Sequence, residues 1–277
     1  MTKDKDFFLK KKKLSSFSTE GEDFCKFDKA ELVEKTKELG DDLADLQELI
    51  FAESKYKILI ILQGLDTSGK DGTVKHVFGA TNPQGVRVVS FKAPTELELA
   101  HDYMWRIHKE APEKGELVIF NRSHYEDYIV PRVHGTLNNK LVRQRMDDIK
   151  AFEKMLAAQD FVIFKFFLHI SLSEQAERLR ERLDNAEKHW KFQLSDLTER
   201  RHWREYHKAY EEIIQHTHTD DCPWYIIPAD NKPIRNYLIS KILVHRLKNL
   251  KSHLPEFNPK VIKKLKEEAQ RILPHKK

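Results

Sequence analysis

Cysteine is almost missing from this 277-residue chain, which has only Cys25 and Cys222. They stand far apart, without a CxxC or other metal-ligand spacing. A disulfide scaffold and a structural zinc site are thereby unsupported, and reduced thiols in a cytoplasmic protein are the expectation. Long apolar runs are lacking as well. Phe7-Phe8-Leu9 is too short for the apolar centre of a secretory signal and leads straight into lysines, and no stretch is long enough to span a bilayer. Nor does one sign of charge dominate: 49 Lys and Arg against 44 Asp and Glu leave +5, which by itself demands no polyanionic partner. No internal repeat, low-complexity segment or linker divides the chain. A G-x-S-x-G elbow for a nucleophilic serine is absent, as is the aromatic-basic motif of RNA-binding sheets. The fourteen histidines show no firm metal spacing, at His216-Thr-His218, at His245 or elsewhere.

What is there is an alternation. Short apolar runs predict strands near 56–63, 86–91, 117–121, 161–169 and 224–228. Amphipathic stretches between them predict helices near 70–80, 96–110, 139–159, 173–184, 196–217 and 231–250. Repeated βα units imply a parallel sheet covered on both faces. Ahead of this core, Asp28 is placed to cap one long helix over 28–53, with Leu32, Leu39, Leu43, Leu46 and Ile50 at helical spacing, packed outside the main fold. Residues 1–24, with the run Lys10 to Lys13, read as a basic, solvated tail. Residues 255–277, polar and lysine-rich after Pro255 and Pro259, read as a peripheral helix. The domain reading is a single α/β unit over 1–277 with its core at 56–250.

Gly64-Leu-Asp-Thr-Ser-Gly69-Lys70 fits G-x4-G-K between an apolar strand and a helical pattern, the context that gives the motif its meaning. Its glycines allow backbone N–H groups and a helix N-terminus to converge on phosphate oxygens, and Lys70 adds a mobile cation. The loop set is Gly64, Thr67, Ser68, Gly69, Lys70, Asp71, Gly72 and Thr73. Where the common form has Ser or Thr after the lysine, this chain has Asp71. A carboxylate 4 Å from bound phosphate costs about 4 kcal/mol at an effective dielectric near 20, so a cation should intervene. Asp66 is the candidate Mg²⁺ ligand, because Mg²⁺ is content with one or two carboxylates plus phosphates and water. Asp71 is either a second such group or an acid favoured in a first helical turn.

A second cluster, "ELVIFNRSHYEDYIVPRVHG" (116–135), follows the third strand and brings Asn121 and Arg122 beside the loop. Arg122 is suited to fork onto phosphate. Glu126 and Asp127 either add metal ligands or orient basic residues, or simply start a helix. A third, 176–212, sets Arg178 and Arg182 on one helical face. "DNAEKHWKF" then interrupts the period with Lys188 and Lys191. Together these read as a basic lid over 184–195 that screens charge and excludes water, with salt-bridged helical arginines as the competing reading.

Taken together, "GLDTSGKDGT" (64–73), "FNRSHYEDYIVPRVHG" (120–135), "DNAEKHWKF" (184–192) and "PWYIIPADNK" (223–232) resemble the polyphosphate kinase 2 family. Their order and separation span about residues 25 to 250. The resemblance implies a P-loop kinase fold like that of thymidylate kinases, Mg²⁺, a lid, and a basic channel for the polymer. It also implies phosphate transfer between inorganic polyphosphate and adenine, with guanine possible, nucleotides. Carried onto this chain, the functional set is Asp66, Lys70, Arg122, Arg178 and Arg182, with Asp127 at an acidic, metal-linked position. "KDG" after the loop and "FNRS" in place of "FDRS" resemble the branch that takes AMP as well as ADP. Channel candidates are Lys75, Arg132, Lys188 and Lys191, and the base is expected near Asp102, Trp105 and Arg106. The further expectations are a homo-oligomer with no nucleic-acid or membrane partner, and, as the rival, an ATP-dependent nucleotide kinase of the same fold.

Overall fold

The computed structural model describes residues 13–273. The strands are β1 (Lys57–Gln63), β2 (Val86–Ser90), β3 (Leu117–Asn121), β4 (Phe161–His169) and β5 (Trp224–Pro228). The helices are α1 (Lys29–Glu53), α2 (Lys70–Val77), α3 (Glu96–Leu99), α4 (Trp105–His108), α5 (Glu126–Val133) and α6 (Asn139–Ala157). They continue with α7 (Leu172–Asp184), α8 (Leu194–Arg200), α9 (Trp203–Thr217), α10 (Lys232–Lys248) and α11 (Pro259–Ile272). All strand pairs are parallel, in the order β2-β3-β1-β4-β5.

β1 is apolar on both faces because both are covered, and Ile58 to Leu62 are fully buried. Its centre is flanked on both sides: Ile60 lies opposite Ile119 of β3 and Phe164 of β4. The chain leaves β1 for the far edge, returns through β3, then crosses to β4. The order therefore reverses at β1, and the crevice beyond its carboxyl end is where an open α/β sheet binds ligands. β5 sits at an edge yet is buried throughout, and its Pro228 is tolerated there because an edge strand has one N–H row free of the ladder.

α1 starts at a capping box in which Asp28 accepts from the Glu31 N–H while the Glu31 carboxylate accepts from the Asp28 N–H. It packs along α10 and sends Leu32, Leu43 and Ile50 into the common core, so it is part of the fold and not outside it. The expected solvated tail is corrected too. Lys10 to Lys12 lie outside the described residues, but from Lys13 onward the segment is docked. Leu14 is buried, its N–H donates to Glu211 Oε2 (2.6 Å), and the Thr19 carbonyl accepts from Asp230 N. An apolar anchor and two backbone bonds outweigh the lysines beside them.

Two expected helices are broken. Over 96–110 there are two single turns, α3 and α4. Thr95 and Glu98 form a capping box that starts the first, and the Asp102 carboxylate accepts from the Met104 N–H (3.0 Å), a local bond that competes with helix continuation. Over 196–217 the chain bends at Arg201 and His202, whose N–H groups close onto Thr198 and Glu199 three residues back, in 3₁₀ fashion. α11 is a peripheral helix without buried residues, and residues 274–277 of the stretch expected to form it lie outside the described residues.

A polar network runs through the interior. Lys165 on β4 donates to Glu153 Oε2 of α6 (2.6 Å) and to the Thr217 carbonyl (2.9 Å), and Tyr125 donates to Glu153 Oε1 (2.6 Å). Lys165 and Glu153 are both buried, so each charge is bearable only with the other present. No described helix is long and apolar enough to cross a membrane.

Candidate active site

The loop after β1 is shaped by left-handed backbone at Gly64 (φ 149°), Thr67 (φ 64°) and Gly69 (φ 102°). Thr67 pays a steric cost for that conformation, as does Arg122 (φ 64°) at the end of β3, and such strain gathers where a ligand must be met. Thr67 Oγ1 and Ser68 Oγ are buried without a hydrogen-bond partner, donors that fit anionic oxygens. Lys70 is 8 % exposed and folds back over the loop, donating to the Gly64 (2.7 Å) and Leu65 (3.2 Å) carbonyls. Burial, with Arg122 nearby, pulls its ammonium down to about 8. α2 begins at Lys70, so its N-terminal dipole faces the same space.

The two carboxylates of the loop region have distinct partners. Asp66 accepts from Arg122 Nη2 at 2.6 Å, and Asp71 accepts from Asn121 Nδ2 at 2.7 Å. The partners are the last residue of β3, Asn121, which is paired into the sheet beside β1, and Arg122 directly after it. Arg122 also lies 3.8 Å from Glu126, and Glu126 together with Asp66 raises its guanidinium above the ordinary value. Glu126 is itself pushed up by burial. Behind them Gln63, fully buried, bonds Ser123 (3.0 Å) and Tyr210 (3.1 Å), which fixes the strand end where the loop departs.

Beyond the loop opens a cleft of about 530 Å³. Its lining includes the apolar Phe91, Pro94, Leu99, Val130 and Pro131 and the polar Gln175, Ser195, Asp196, Arg200 and Tyr206. Arg106, also in the lining, is 4 % exposed; its Nη2 donates to both Asp127 oxygens (3.2 and 3.0 Å) and its Nη1 to the Lys92 carbonyl (2.8 Å). Its Nε is buried without a partner. Burial pushes the Asp127 carboxyl up and Arg106 opposes it, and Arg145 donates to the Asp127 carbonyl.

The expected site residues therefore separate. Asp66, Arg122, Asp127 and Arg106 meet on the cleft, with Lys70 in the loop beneath. Asp102 and Trp105 are not on its walls, since Asp102 caps the local turn and Trp105 stacks on His101 (4.1 Å) under Lys109. Arg178 is buried under the loop, where its fork holds the carbonyls of Thr67 (2.9 Å), Ala229 (2.7 Å) and Asp230 (2.8 Å). Arg182 donates to the Lys191 carbonyl (3.1 Å), with Asp196 at 3.5 Å, and so ties α7 to the segment that follows it. The stretch expected to be a lid contains a 3₁₀ segment, Ala186–Lys191, on which Lys188 pairs with Glu181 and Lys191 lies over Trp190. Arg132 pairs with Glu212 (3.1 Å), and Lys75 is exposed on α2. None of Lys75, Arg132, Lys188 and Lys191 lines the cleft.

Sequence reasoning missed Arg145, Arg200, Tyr206 and Tyr210, whose helices reach the cleft only through folding. It also missed Arg235, fully buried behind Gly69. A single arginine among Ile234, Tyr237, Leu238 and Ile239 was the available signal, since an apolar helix does not retain such a charge without a use for it. Among the described residues, no group of three or more His, Cys, Asp or Glu is arranged to hold a metal unaided.

A family model described as Polyphosphate kinase 2 matches residues 26–255. The AMP/ADP-polyphosphate phosphotransferase of Meiothermus ruber is 52 % identical over 218 residues, 79 % of this chain and 82 % of that protein. The ADP-polyphosphate phosphotransferase of Rhodopseudomonas palustris is 39 % identical over 243 residues, 83 % and 84 % of the two chains. Among solved structures, Polyphosphate Kinase 2 from Arthrobacter aurescens superposes with a TM-score of 0.90 at 36 % identity, covering 95 % of each chain.

Proposed function

The chain belongs to the polyphosphate kinase 2 family, and from that premise we propose that it moves phosphate between inorganic polyphosphate and the adenine nucleotides AMP and ADP. It is a polyphosphate-dependent nucleotide phosphotransferase. The observation that carries the site assignment is the facing pair of features at the sheet's reversal point. A loop with orphaned hydroxyls and a buried lysine lies on one side, and a cleft of nucleotide size lined by guanidinium groups on the other.

The acceptor is a phosphate oxygen already ionised near neutral pH, so the chain need supply no strong base. Positioning and charge screening carry the reaction. Lys70 leaves the loop carbonyls to take phosphate oxygens, and Arg122 exchanges Asp66 for them. Arg145 and Arg200, which both line the cleft, screen the group in transit. Arg178 acts through the loop backbone, and Arg182 holds the lid segment to α7. Arg106 and Asp127 form one forked pair at the acceptor end. Asp66 would hold Mg²⁺, which when bound would supply electrostatic screening between the two polyanions. The chemistry of the residues fits that ion: Asp66 is about one-quarter exposed and has a single, displaceable cationic partner. Asp127 is less suited, because Arg106 occupies both its oxygens.

A cytoplasmic location accords with two free cysteines, of which Cys222 is buried with its thiol pushed up to about 11. The test of the function is direct. With polyphosphate as sole donor, ADP should yield ATP and AMP should yield ADP. No product from polyphosphate, together with phosphorylation of a monophosphate by ATP, would establish an ATP-dependent kinase instead.

A further inference from the structure

Arg235 lies on α10, remote from the cleft lining, yet its guanidinium occupies the space directly behind the phosphate loop. It is 2 % exposed. A Cβ on Gly69 would meet its Nη1 at 1.9 Å, and one on Gly72 would meet Nη2 at 3.3 Å. Gly69 is thus needed for the approach as well as for the turn, and Gly72, within α2, leaves room beside it. The acceptors around the guanidinium are neutral: Asn236 Oδ1 takes Nε (3.1 Å) and Nη2 (2.9 Å), and the Ser68 carbonyl takes Nη1 (3.3 Å). Arg178, close enough to repel it, has the Glu174 carboxylate at 2.7 Å. Among the described residues Arg235 makes no ion pair.

A buried cation without a counter-charge is costly. Here the cost is compounded, since Arg178, Lys70 and the N-terminus of α2 are all positive and all face the loop. The one anion that the site is built to receive lies across the Ser68–Gly69 backbone. We propose that Arg235 is a positioning residue whose charge is balanced by bound phosphate, acting through the loop from behind, so that empty and loaded states differ in how well they tolerate it. The proposal rests on the reading of Gly64–Lys70 as the cradle of phosphate. It differs from a structural brace in the sign of its effect on the empty protein. Burial and Arg178 already pull this guanidinium down to about 9, which accords with an unbalanced charge.

The variants are Arg235→Gln, which keeps a donor for the Ser68 carbonyl but no charge, and Arg235→Lys, which keeps the charge. The measurements are thermal denaturation with and without inorganic tripolyphosphate, and steady-state kinetics. For Arg235→Gln the empty protein should melt no lower than wild type, while most of the upshift with tripolyphosphate is lost. The KM for polyphosphate should rise on the order of tenfold, equivalent to about 1.4 kcal/mol, with kcat changed far less. Arg235→Lys should retain most of the upshift. A Gln variant that keeps the wild-type upshift and KM overturns the proposal. So does one that fails to fold, because the empty fold is required to tolerate neutralisation, and so does a Lys variant as impaired as the Gln variant. Wild-type protein showing no upshift at all would overturn the cradle reading beneath it.

Discussion

Asp66 sits where a phosphate loop least tolerates charge, and Arg122 at 2.6 Å balances it. When phosphate takes Arg122, the carboxylate is left facing an anion, at about 4 kcal/mol for a 4 Å separation and an effective dielectric near 20. A second cation must replace the arginine, and this is the argument for Mg²⁺ at Asp66. Asp66→Asn removes that ligand and leaves a similar shape, so turnover should fall by about a hundredfold or more while the melting temperature stays near wild type. Near-normal rates at saturating Mg²⁺ would end the metal-ligand assignment. Lys70 gives a second residue-level expectation. The empty enzyme binds phosphate best with Lys70 protonated, and burial brings its titration down to about 8. The ammonium form, and with it kcat/KM, should therefore be fully present well below pH 8 and decline as pH rises through it. Bound phosphate holds the proton, so kcat should decline at higher pH than kcat/KM does. A kcat/KM profile flat to pH 10 would exclude this role. These residues were legible in the sequence because glycine spacing fixes where a lysine and an aspartate must point. Arg235 was not, since nothing local links position 235 to position 69.

Elements were read well where one periodicity spans the whole segment and poorly where local polar bonds compete with it. β3, β4 and β5 have the expected bounds, and α1, α6, α7 and α10 lie within two residues of theirs. The stretch 96–110 carries a helical apolar pattern, yet it forms two single turns with the Asp102 carboxylate bonded to the Met104 N–H between them, and of its residues Arg106 lines the cleft while Trp105 does not. Likewise the bend at Arg201 and His202 separates α8 from α9, and both reach the cleft, through Ser195, Asp196 and Arg200 on the first and Tyr206 and Tyr210 on the second. The elements meet in the buried network of Lys165, Glu153 and Tyr125, which joins β4, α6 and the segment leading into α5. Its members are scattered over the sequence, so no spacing announced it. Lys165→Met strands the Glu153 charge in the core and should cost about 3–5 kcal/mol of stability, read from the urea midpoint. Adding Glu153→Gln removes the stranded charge and keeps an acceptor for Tyr125, so the double variant should regain at least half of that loss. A single variant costing under about 1 kcal/mol would show the pair to be dispensable, below the usual range for breaking a buried ion pair.

At the scale of the molecule, a parallel sheet was foreseeable from βα alternation, whereas the strand order was not, because periodicity records which residues face the core and not which strand is next. That order decides the function: it puts β1 between β3 and β4 and so assembles the loop, Arg122 and the cleft at one point. The net charge of +5 is small, and the polymer must be held by cations gathered locally around that point. Polyphosphate carries about one charge per phosphate, so cations that neutralise it release condensed counterions, as on a nucleic-acid single strand. With a slope of roughly −0.7 per neutralised phosphate, four contacts predict that affinity falls about fiftyfold between 50 and 200 mM salt. AMP brings a single phosphate group and should weaken far less over the same range. Measuring KM for each substrate across a salt series, at constant free Mg²⁺, separates the two. Parallel slopes would mean that the polymer is gripped at one phosphate only, and that the cations of Arg122, Arg145 and Arg200 do not act along its length.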